Sequence, residues 1–182
     1  MTERGAADLR QAPGYLGIGP STLRWKDGRL VAEIDEITVP WPRRLRGTVT
    51  LDPGCHQPQH FALDSDARHL WWPASPTARV AVAMESPDIR WQGDGYLDSN
   101  WGEEPLEDCF RDWNWSRTQL GDGSSALLYE PHQRNGDTRL LAYRFDARGG
   151  HEALDVGPET ALPGTAIWRI ARSSRTEPGG SV

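Results

Sequence analysis

The sequence lacks the features that mark membrane-spanning and secreted proteins. It contains no uninterrupted apolar run of about 18 residues, the length that a membrane-spanning helix needs. Its polar start, MTERGAADLR, has no apolar core of the kind that signal peptides carry. Its two cysteines, Cys55 and Cys109, are too few for a disulfide framework or a metal cluster, and they suit a reducing compartment. These absences predict a cytoplasmic protein.

Basic residues are outnumbered by acidic ones. The 182 residues include 20 Lys and Arg against 26 Asp and Glu, which gives a net charge of −6, and they contain no long basic run. A nucleic-acid surface needs a basic patch that neutralises phosphates. We therefore expect no nucleic-acid partner. The length suits one domain with a sizeable core.

Histidine is also scarce, and its pattern does not predict a metal site. The motif C-H-x-x-x-H at Cys55, His56 and His60 is interrupted by Pro58, and no fourth ligand is near it. Structural zinc needs a full set of well-spaced nitrogen and sulfur ligands, so we expect no bound metal. The remaining histidines lie in polar sequence and are expected at the surface: His69, His132 and His151.

Long helical patterns are absent too, and alternating strand patterns take their place. Glycine (19) and proline (14) interrupt the chain throughout. The segment 78–84 alternates, with Val80 and Val82 on one face, and the Asn135-Gly136 pair between two apolar runs predicts a tight hairpin. We predict an all-β fold, an antiparallel barrel or sandwich with at most one or two short helices. Its strands are expected at residues 34–41, 48–51, 78–84, 89–101, 113–120, 126–130, 140–145 and 167–170.

The two ends of the chain carry little strand pattern. Residues 1–14 are expected to form a polar N-terminal segment. The closing sequence SSRTEPGGSV is typical of disorder, which predicts a disordered tail at 173–182. One compact β domain is expected between them, at residues 15–172.

Tryptophan, by contrast, is abundant, and three of the nine tryptophans lie in one acidic segment. Residues 94–115 (DGYLDSNWGEEPLEDCFRDWNW) also hold 7 of the 26 acidic residues. Because residues two apart in a strand share a face, Tyr96, Asp98 and Asn100 are predicted to project together. The stretch PLEDCF is predicted to form one helical turn that begins near Pro105. The chain then returns with a second shared face, formed by Trp113, Trp115 and Arg117.

If both faces point inward, a carboxylate lies among aromatic rings. An acid in apolar surroundings keeps its proton to a higher pH than usual, and tryptophan faces stabilise a cation. Such a site suits protonation of an alkene followed by capture of the carbocation by water. The same pattern arises when the acidic residues are solvated in loops and the tryptophans pack in the core. Spacing alone does not decide between a catalytic site and this structural alternative.

These residues resemble the carotenoid 1,2-hydratases (hydroxyneurosporene synthases), a lipocalin-like family. The similarity is carried by GYLDSNWG at 95–102, by Pro105-Leu106-Glu107 and by WNWSR at 113–117. Further similarity at 18–21, 37–44, 90–93 and 162–169 extends it over nearly the whole chain. The resemblance implies a lipocalin-like fold and a cofactor-independent lyase. Such an enzyme adds water across the terminal C1=C2 bond of an acyclic carotene such as neurosporene or lycopene.

The resemblance also implies roles for individual residues. Asp98 is the expected proton donor, and Tyr96 and Asn100 are expected to set its hydrogen bonds. The full set comprises catalytic roles for Asp98, Tyr96, Asn100 and Glu104, and substrate-binding roles for Trp101, Trp113, Trp115 and Glu107. Arg117 is expected to play a structural part.

Members of that family are longer than this chain, which resembles their middle-to-C-terminal portion. An incomplete barrel with unpaired edges and an exposed apolar face is therefore expected. A non-catalytic binder of a hydrophobic molecule and a truncated, inactive family member remain alternatives. Because a carotene resides in lipid, the basic cluster Arg43, Arg44 and Arg46 allows a peripheral contact with the inner face of a bacterial membrane, although a solvated strand end has the same composition. The oligomeric state is left open.

Overall fold

Strands dominate the computed structural model, which describes residues 4–165, 167–169 and 172–175. One short α-helix, α1 (Leu106–Cys109), follows Pro105, and one 3₁₀ turn covers Ala6–Asp8. The all-β prediction and the helical turn near Pro105 are thus confirmed. The strands are β1 (Leu9–Ala12), β2 (Tyr15–Ile18), β3 (Ser21–Lys26), β4 (Arg29–Ile37), β5 (Arg44–Asp52), β6 (Phe61–Ala62), β7 (His69–Ser75), β8 (Arg79–Ser86), β9 (Asp88–Asp94), β10 (Leu97–Gly102), β11 (Phe110–Gln119), β12 (Ser125–Gln133), β13 (Leu141–Phe145), β14 (His151–Ala153), β15 (Glu159–Leu162) and β16 (Arg172–Arg175).

The strands form four antiparallel sheets. The largest has seven strands in the order β1-β2-β3-β4-β5-β8-β9. A three-stranded sheet (β10-β7-β6) and a four-stranded sheet (β11-β12-β13-β14) follow, and β15 pairs with β16. Within the described residues these sheets stay open and sandwich-like, so the closed-barrel form of the prediction is not realised.

Turn chemistry places two of the hairpins. Asp27 and Gly28 join β3 to β4 with φ angles of 52° and 74°, and two successive positive φ values are what a tight hairpin turn requires. Gly136, with φ of 97°, lies in the connection between the antiparallel strands β12 and β13. The hairpin predicted from Asn135-Gly136 is therefore confirmed.

Several local expectations differ from the structure. Strand β1 lies within residues 1–14, where it gains backbone hydrogen bonds from β2 that composition does not reveal. Strand β4 ends at Ile37 rather than reaching Trp41, because Pro40 and Pro42 have no N–H to donate to a ladder. Residues 167–169 form a turn instead of a strand. Of the tail predicted to be disordered, 173–175 belong to β16 and the rest lies outside the described residues.

The buried core lies between the three-stranded and four-stranded sheets. It is built from aromatic and aliphatic side chains of β6, β7, β11, β12 and β13 and of the loop after β6. Its members are Phe61, Leu63, Trp71, Phe110, Leu127, Tyr129, Leu141 and Phe145. Tyr96, Cys109 and Tyr143 pack against it.

The seven-stranded sheet has one apolar and one charged face. The pairing register aligns apolar residues in rows across the strands, and Val80 and Val82 lie on the same side as predicted. The face that we call the apolar face comprises Leu9, Leu16, Ile18, Leu23, Trp25, Leu30, Ala32, Ile34, Val49, Leu51, Val80, Val82, Met84, Ile89 and Trp91. The opposite face carries the ion pairs Arg24–Glu33, Arg29–Asp52, Arg44–Asp35, Arg46–Glu85 and Arg79–Asp94.

A bent two-stranded ribbon joins the large sheet to the small one. Strands β8 and β9 pair in the seven-stranded sheet, and their continuations β7 and β10 pair in the three-stranded sheet. The Gly95 N–H donates to the Ala78 carbonyl over 2.7 Å, which keeps the two chains together through the bend. The acidic, tryptophan-rich segment begins at this bend.

Candidate active site

Asp98 lies opposite an irregularity in the pairing of β10 with β7. Leu97 pairs with Ser75 and Ser99 with Trp72, so two residues of β7 oppose the single residue Asp98. One of them is Pro73, which has no N–H for the ladder. Such bulges increase the local twist and redirect a side chain, and they are frequent beside active sites.

The Asp98 carboxylate accepts hydrogen bonds from two aromatic residues. The Trp71 indole N–H donates to the Tyr96 hydroxyl and to Asp98 Oδ2, each over 3.2 Å. The Tyr96 hydroxyl donates to the same oxygen over 3.1 Å. Tyr96 and Asp98 therefore share a face, as strand alternation predicts. Trp71 is 0% exposed and Tyr96 is half-buried, so the carboxylate is held from the interior side of β10.

Aromatic rings surround this triangle. The Trp115 ring lies 5.3 Å from the Tyr96 ring, and the Tyr129 ring meets Trp71 edge-on at 5.4 Å. Trp115 pairs directly with Tyr129 across β11 and β12, so the two side chains leave the sheet on the same side. Asp98 itself is half-buried. The arrangement is an acid in a partly closed aromatic cleft.

Burial in the cleft changes the pKa values of its two tyrosines, Tyr96 and Tyr129. Burial, reinforced by the negative charge of Asp98, raises the pKa of Tyr96 far above its ordinary value. The same two causes, in the same order, raise the pKa of Tyr129. Tyr96 consequently keeps its proton at physiological pH and acts as a hydrogen-bond donor, which orients the carboxylate.

Arg117 closes the β11–β12 hairpin next to the cleft. Its guanidinium donates to Gln119 Oε1 over 2.7 Å, to Ser125 Oγ over 3.2 Å and to the Pro76 carbonyl over 3.3 Å. It also lies 5.9 Å from the centre of the Tyr96 ring. Burial lowers the pKa of this guanidinium. These contacts tie the hairpin to the connection after β7, which agrees with the structural part expected for Arg117.

The other predicted site residues of the described chain form no side-chain hydrogen bond with the triangle, although Asn100 pairs with Trp71 across β10 and β7. Asn100 is exposed, and Trp113 is exposed on the face of β11 that also carries Trp115. Trp101 lies on the other side of β10, where its ring meets His60 edge-on at 5.0 Å.

The two candidate glutamates lie beyond the far end of β10. The Arg68 guanidinium donates to the Glu104 carboxylate over 2.5 Å. The backbone carbonyl of Glu107 accepts a hydrogen bond of 2.6 Å from Arg134. The structure therefore brings together Tyr96, Asp98 and Trp115, and it adds Trp71, which sequence reasoning did not select.

A second buried group, Asp64 and His69, lies at the start of β7. His69 is 1% exposed, so its expected surface position is wrong: the loop before β7 folds it under Phe110. The Asp64 carboxylate accepts hydrogen bonds from the Arg68 and His69 backbone N–H groups and from His69 Nδ1 over 2.8–2.9 Å. Burial alone would raise the pKa of Asp64, but these hydrogen bonds outweigh it and hold the pKa below its ordinary value.

Cys109 completes this group, with its sulfur within 4.8 Å of the ligand atoms of Asp64 and His69. His69 Nδ1 donates to the Asp64 carboxylate, and Nε2 lies 3.3 Å from the Glu104 backbone carbonyl, so both ring nitrogens already contact protein oxygens. Burial, together with the charge of Asp64, raises the pKa of the Cys109 thiol, which disfavours the thiolate that binds metals. The group is best understood as a structural anchor for the Glu104 loop.

The cavity beside the β11–β12 hairpin opens on the other side of that sheet. It has a volume of about 130 Å³ and is lined by polar groups that include Asn114, Ser116 and the ion pair of Glu130 with Arg175. Trp115 borders it as well. Its polar lining separates it chemically from the aromatic cleft.

Comparison with known proteins identifies the family. A model of the carotenoid hydratase family, CrtC, matches residues 1–182. The chain belongs to the carotenoid hydratase family. The resemblance seen in residues 95–117 is thereby confirmed over the whole chain. No solved structure shows a significant match.

Several curated relatives of this carotenoid hydratase family member are named acyclic carotenoid 1,2-hydratase. The protein from Thiocapsa roseopersicina is 48% identical over 179 residues, which are 98% of this chain and 44% of the relative. The protein from Rubrivivax gelatinosus is 43% identical with the same coverage. The protein from Cereibacter sphaeroides is 34% identical over 98% of this chain and 63% of the relative. The chain thus spans about half to two thirds of the length of the relatives it matches.

The described residues contain no helix that is long and apolar enough to cross a membrane.

Proposed function

We propose that this chain carries the proton-donating site of an acyclic carotenoid 1,2-hydratase. The reaction adds water across the terminal C1=C2 bond of an acyclic carotene of the neurosporene or lycopene type. The observation that supports it is the Asp98 carboxyl, held by Trp71 and Tyr96 inside an aromatic cleft. The names of the longer relatives supply the substrate class.

In this proposal the protonated Asp98 carboxyl donates its proton to C2, which leaves a tertiary cation at C1. The π faces of Tyr96 and Trp115, 5.3 Å apart, stabilise that positive charge. Water adds to C1, and the resulting oxonium returns a proton to the Asp98 carboxylate, so the acid is regenerated. These steps consume only water and need no cofactor. Tyr96, whose pKa is raised, keeps its hydroxyl proton and fixes the orientation of the acid.

Other residues complete the proposed site. Trp113 and Asn100 are exposed on the faces that carry Trp115 and Asp98, where we expect them to meet the substrate, and Trp101 would contact it from the other side of β10. Glu104 and Glu107 keep the water-positioning and substrate-binding roles that the family resemblance implies for them. The Arg68 ion pair holds the Glu104 carboxylate in one orientation.

A peripheral membrane contact is part of the same proposal, because the substrate resides in lipid. The end of β4 and the connection to β5 present three exposed apolar side chains, Ile37, Val39 and Trp41, and Trp41 is 78% exposed. Arg43 follows after Pro42. Tryptophan and arginine side chains favour the interface between lipid and water, so this connection would face the inner surface of the membrane.

The second candidate function is non-catalytic binding of a hydrophobic molecule. The exposed apolar face of the seven-stranded sheet favours it, since a binder needs such a surface and no acid. It predicts polyene binding that does not depend on Asp98 and yields no hydrated product. A truncated, inactive family member predicts neither product nor binding.

Product analysis tests the proposal. The chain is expressed in cells that make neurosporene or lycopene, and extracts are analysed by chromatography and mass spectrometry for a carotene heavier by one water. We expect Asp98→Asn to lower the hydrate yield at least about a hundredfold, because general acid catalysis contributes on this scale. Asp88→Asn, on an exposed residue of the preceding strand, is the matched control and should retain full activity.

A second readout separates loss of the acid from loss of the fold. Circular dichroism of purified Asp98→Asn shows whether the chain keeps its strand content, so a folded variant that forms no hydrate has lost the acid and not the fold. Hydrate formation that survives in folded Asp98→Asn would rule out Asp98 as the proton donor, and soluble, folded chain without any product would rule out a self-sufficient hydratase.

A further inference from the structure

The apolar face of the seven-stranded sheet is open to solvent over much of its area. Six of its large side chains are exposed: Leu9, Ile18, Leu23, Trp25, Ile89 and Trp91. The core between the smaller sheets contains no residue of this face. Apolar surfaces of this extent mark contacts with a ligand, a protein or a membrane. Five ion pairs of the same strands lie on the opposite side, and Glu36, paired with Arg4, lies at the border of the apolar face. The face therefore offers polar ligands few hydrogen bonds.

This face continues past the bend onto one side of the three-stranded sheet. A Cβ atom placed on Gly95 would lie 3.4 Å from the Val80 Cβ, so Gly95 belongs to the apolar face. Beyond it, Tyr96 and Asp98 turn towards Trp71, and Leu97 between them therefore points the other way. Leu97 lies on the side of β10 that carries Trp101.

An aromatic cluster ends the continued surface. The His60 ring contacts the Trp72 ring at 5.5 Å and the Trp101 ring at 5.0 Å, both edge-on. The loop that carries His60 also reaches the seven-stranded sheet, because His56 lies 6.1 Å from the Trp25 ring. The Trp72 indole N–H donates to the backbone of the same loop, at the Gln57 carbonyl over 2.5 Å. One loop thus borders both the apolar face and the aromatic cluster.

The dimensions and chemistry of this surface select an elongated, uncharged ligand. Seven strands at a spacing of about 4.8 Å extend over about 29 Å. The rows of paired residues that cross these strands on the apolar face are apolar apart from Gln11 and Ser21. A conjugated polyene has no polar group that would lose hydrogen bonds there. Its flat π system can also pack against the indole rings of Trp25 and Trp91.

We infer that the apolar face and the cluster of His60, Trp72 and Trp101 form the binding surface for the polyene chain of the substrate. This inference rests on the proposed function for the identity of the ligand. Leu97 and Asp98 are neighbours in β10, an edge strand of its sheet, so the polyene surface and the acid lie on the two sides of one strand. The body of the ligand is bound on one side, and its reacting end turns round the free edge of β10 to reach the cleft.

Binding of lycopene by the 182-residue chain tests the inference. Lycopene is supplied in detergent micelles, and the amount that co-elutes with protein in size-exclusion chromatography is measured over a concentration series. The double variant Trp25→Gln/Trp91→Gln should weaken binding about tenfold, because both exposed rings lose their contact with the polyene. Trp168→Gln replaces another exposed tryptophan, outside the apolar face, and should bind lycopene like the unsubstituted chain.

Each outcome supports or overturns the inference. Weaker binding by the double variant alone supports it, and unchanged binding by a folded double variant overturns it even if hydrate is formed in cells. A dimer that Trp25→Gln/Trp91→Gln dissociates, with no lycopene bound, would assign the face to a second copy and overturn it. Binding to phosphatidylglycerol vesicles that depends on the same two residues, without lycopene uptake, would assign it to a lipid surface. Binding that depends on Trp25 and Trp91 without any hydrate would uphold the inference and contradict the proposed function.

Discussion

The same residue types are buried to different extents in two parts of the molecule. One part is formed by the three-stranded and four-stranded sheets, and the other is the seven-stranded sheet. Trp71, in β7, is 0% exposed and uses its indole N–H inside the core, whereas Trp91, in β9, is 50% exposed. Both lie on regular strands with apolar neighbours on their face. The difference is a second layer: the four-stranded sheet covers one face of β7, and the apolar face of β9 stays open. Alternation sets which side chains share a face, and packing decides whether that face is buried.

Charges show the same contrast. In the closed half, the Asp64 carboxylate accepts a hydrogen bond from His69 Nδ1, at 4% and 1% side-chain exposure, and two more from backbone N–H groups. On the seven-stranded sheet, Arg79 and Asp94 pair at 61% and 41% exposure, in contact with solvent. Buried pairs are costly to break, and exposed pairs contribute little to stability. The two regions should therefore respond very differently to matched substitutions.

The largest difference is expected from leucine truncation in the two regions. Leu127→Ala should lower the free energy of unfolding by about 3 kcal/mol, because Leu127 is fully buried and leaves a cavity. Leu23→Ala, on the exposed apolar face, should cost about 1 kcal/mol or less. Urea unfolding followed by circular dichroism measures both. Equal losses would mean that a further layer covers the apolar face in solution.

The next effect concerns the buried carboxylate. Asp64→Asn should lower the free energy of unfolding by about 3 kcal/mol, because the amide has one oxygen acceptor where the carboxylate has two, so a buried hydrogen-bond donor loses its acceptor. Asp66→Asn, on an exposed residue of the same loop, is the control and should cost far less.

Asp64 also predicts a pH dependence. Its pKa in the folded protein is held below the ordinary value of 3.8, so its contribution is fully present above that value and is lost as the pH falls through the lower folded pKa. Unfolding curves between neutral pH and pH about 2 should therefore converge for the unsubstituted chain and Asp64→Asn. Parallel curves would contradict the depressed pKa.

The smallest effect is expected from the exposed ion pairs. Arg79→Gln should change the free energy of unfolding by about 0.5 kcal/mol or less, since solvent screens the pair with Asp94. A double-mutant cycle with Asp94→Asn isolates the pair, and its coupling should vanish at about 1 M salt. A coupling that persists at high salt would place this face in a more enclosed environment than the structure has.

Much of the fold was predictable because strands and turns are local. Alternation at 78–84 corresponds to β8, and the positive φ of Gly136 agrees with the predicted hairpin. The strand expected to reach Trp41 stops at Ile37, and β1 forms in a segment with little strand pattern, because pairing with β2 supplies its hydrogen bonds. The ends of strands depend on partners, which a local pattern does not contain.

The candidate site was predictable only in part. Tyr96 and Asp98 share a face because they lie two apart in a strand, and Trp115 was placed beside them by the same rule. Trp71 could not be selected, since its contact with Asp98 depends on the register of β7 against β10 across a bulge. His69 was expected at the surface, and the fold of a loop buries it under Phe110. The register between distant strands and the path of a loop leave no periodic pattern in the sequence, so they could not be predicted from it.

The sequence by itself determined an acidic, all-β chain, its family, the division of each strand into faces, and the candidacy of Asp98. These properties follow from composition, from the two-residue period of a strand and from local motifs. Tertiary structure decided that Trp71 holds Asp98, that Trp101 belongs to another surface than Trp115, and that one apolar face is buried while the other is open. The physical reason is that burial and hydrogen bonding depend on which sheets pack together, and residues far apart in the chain supply those partners.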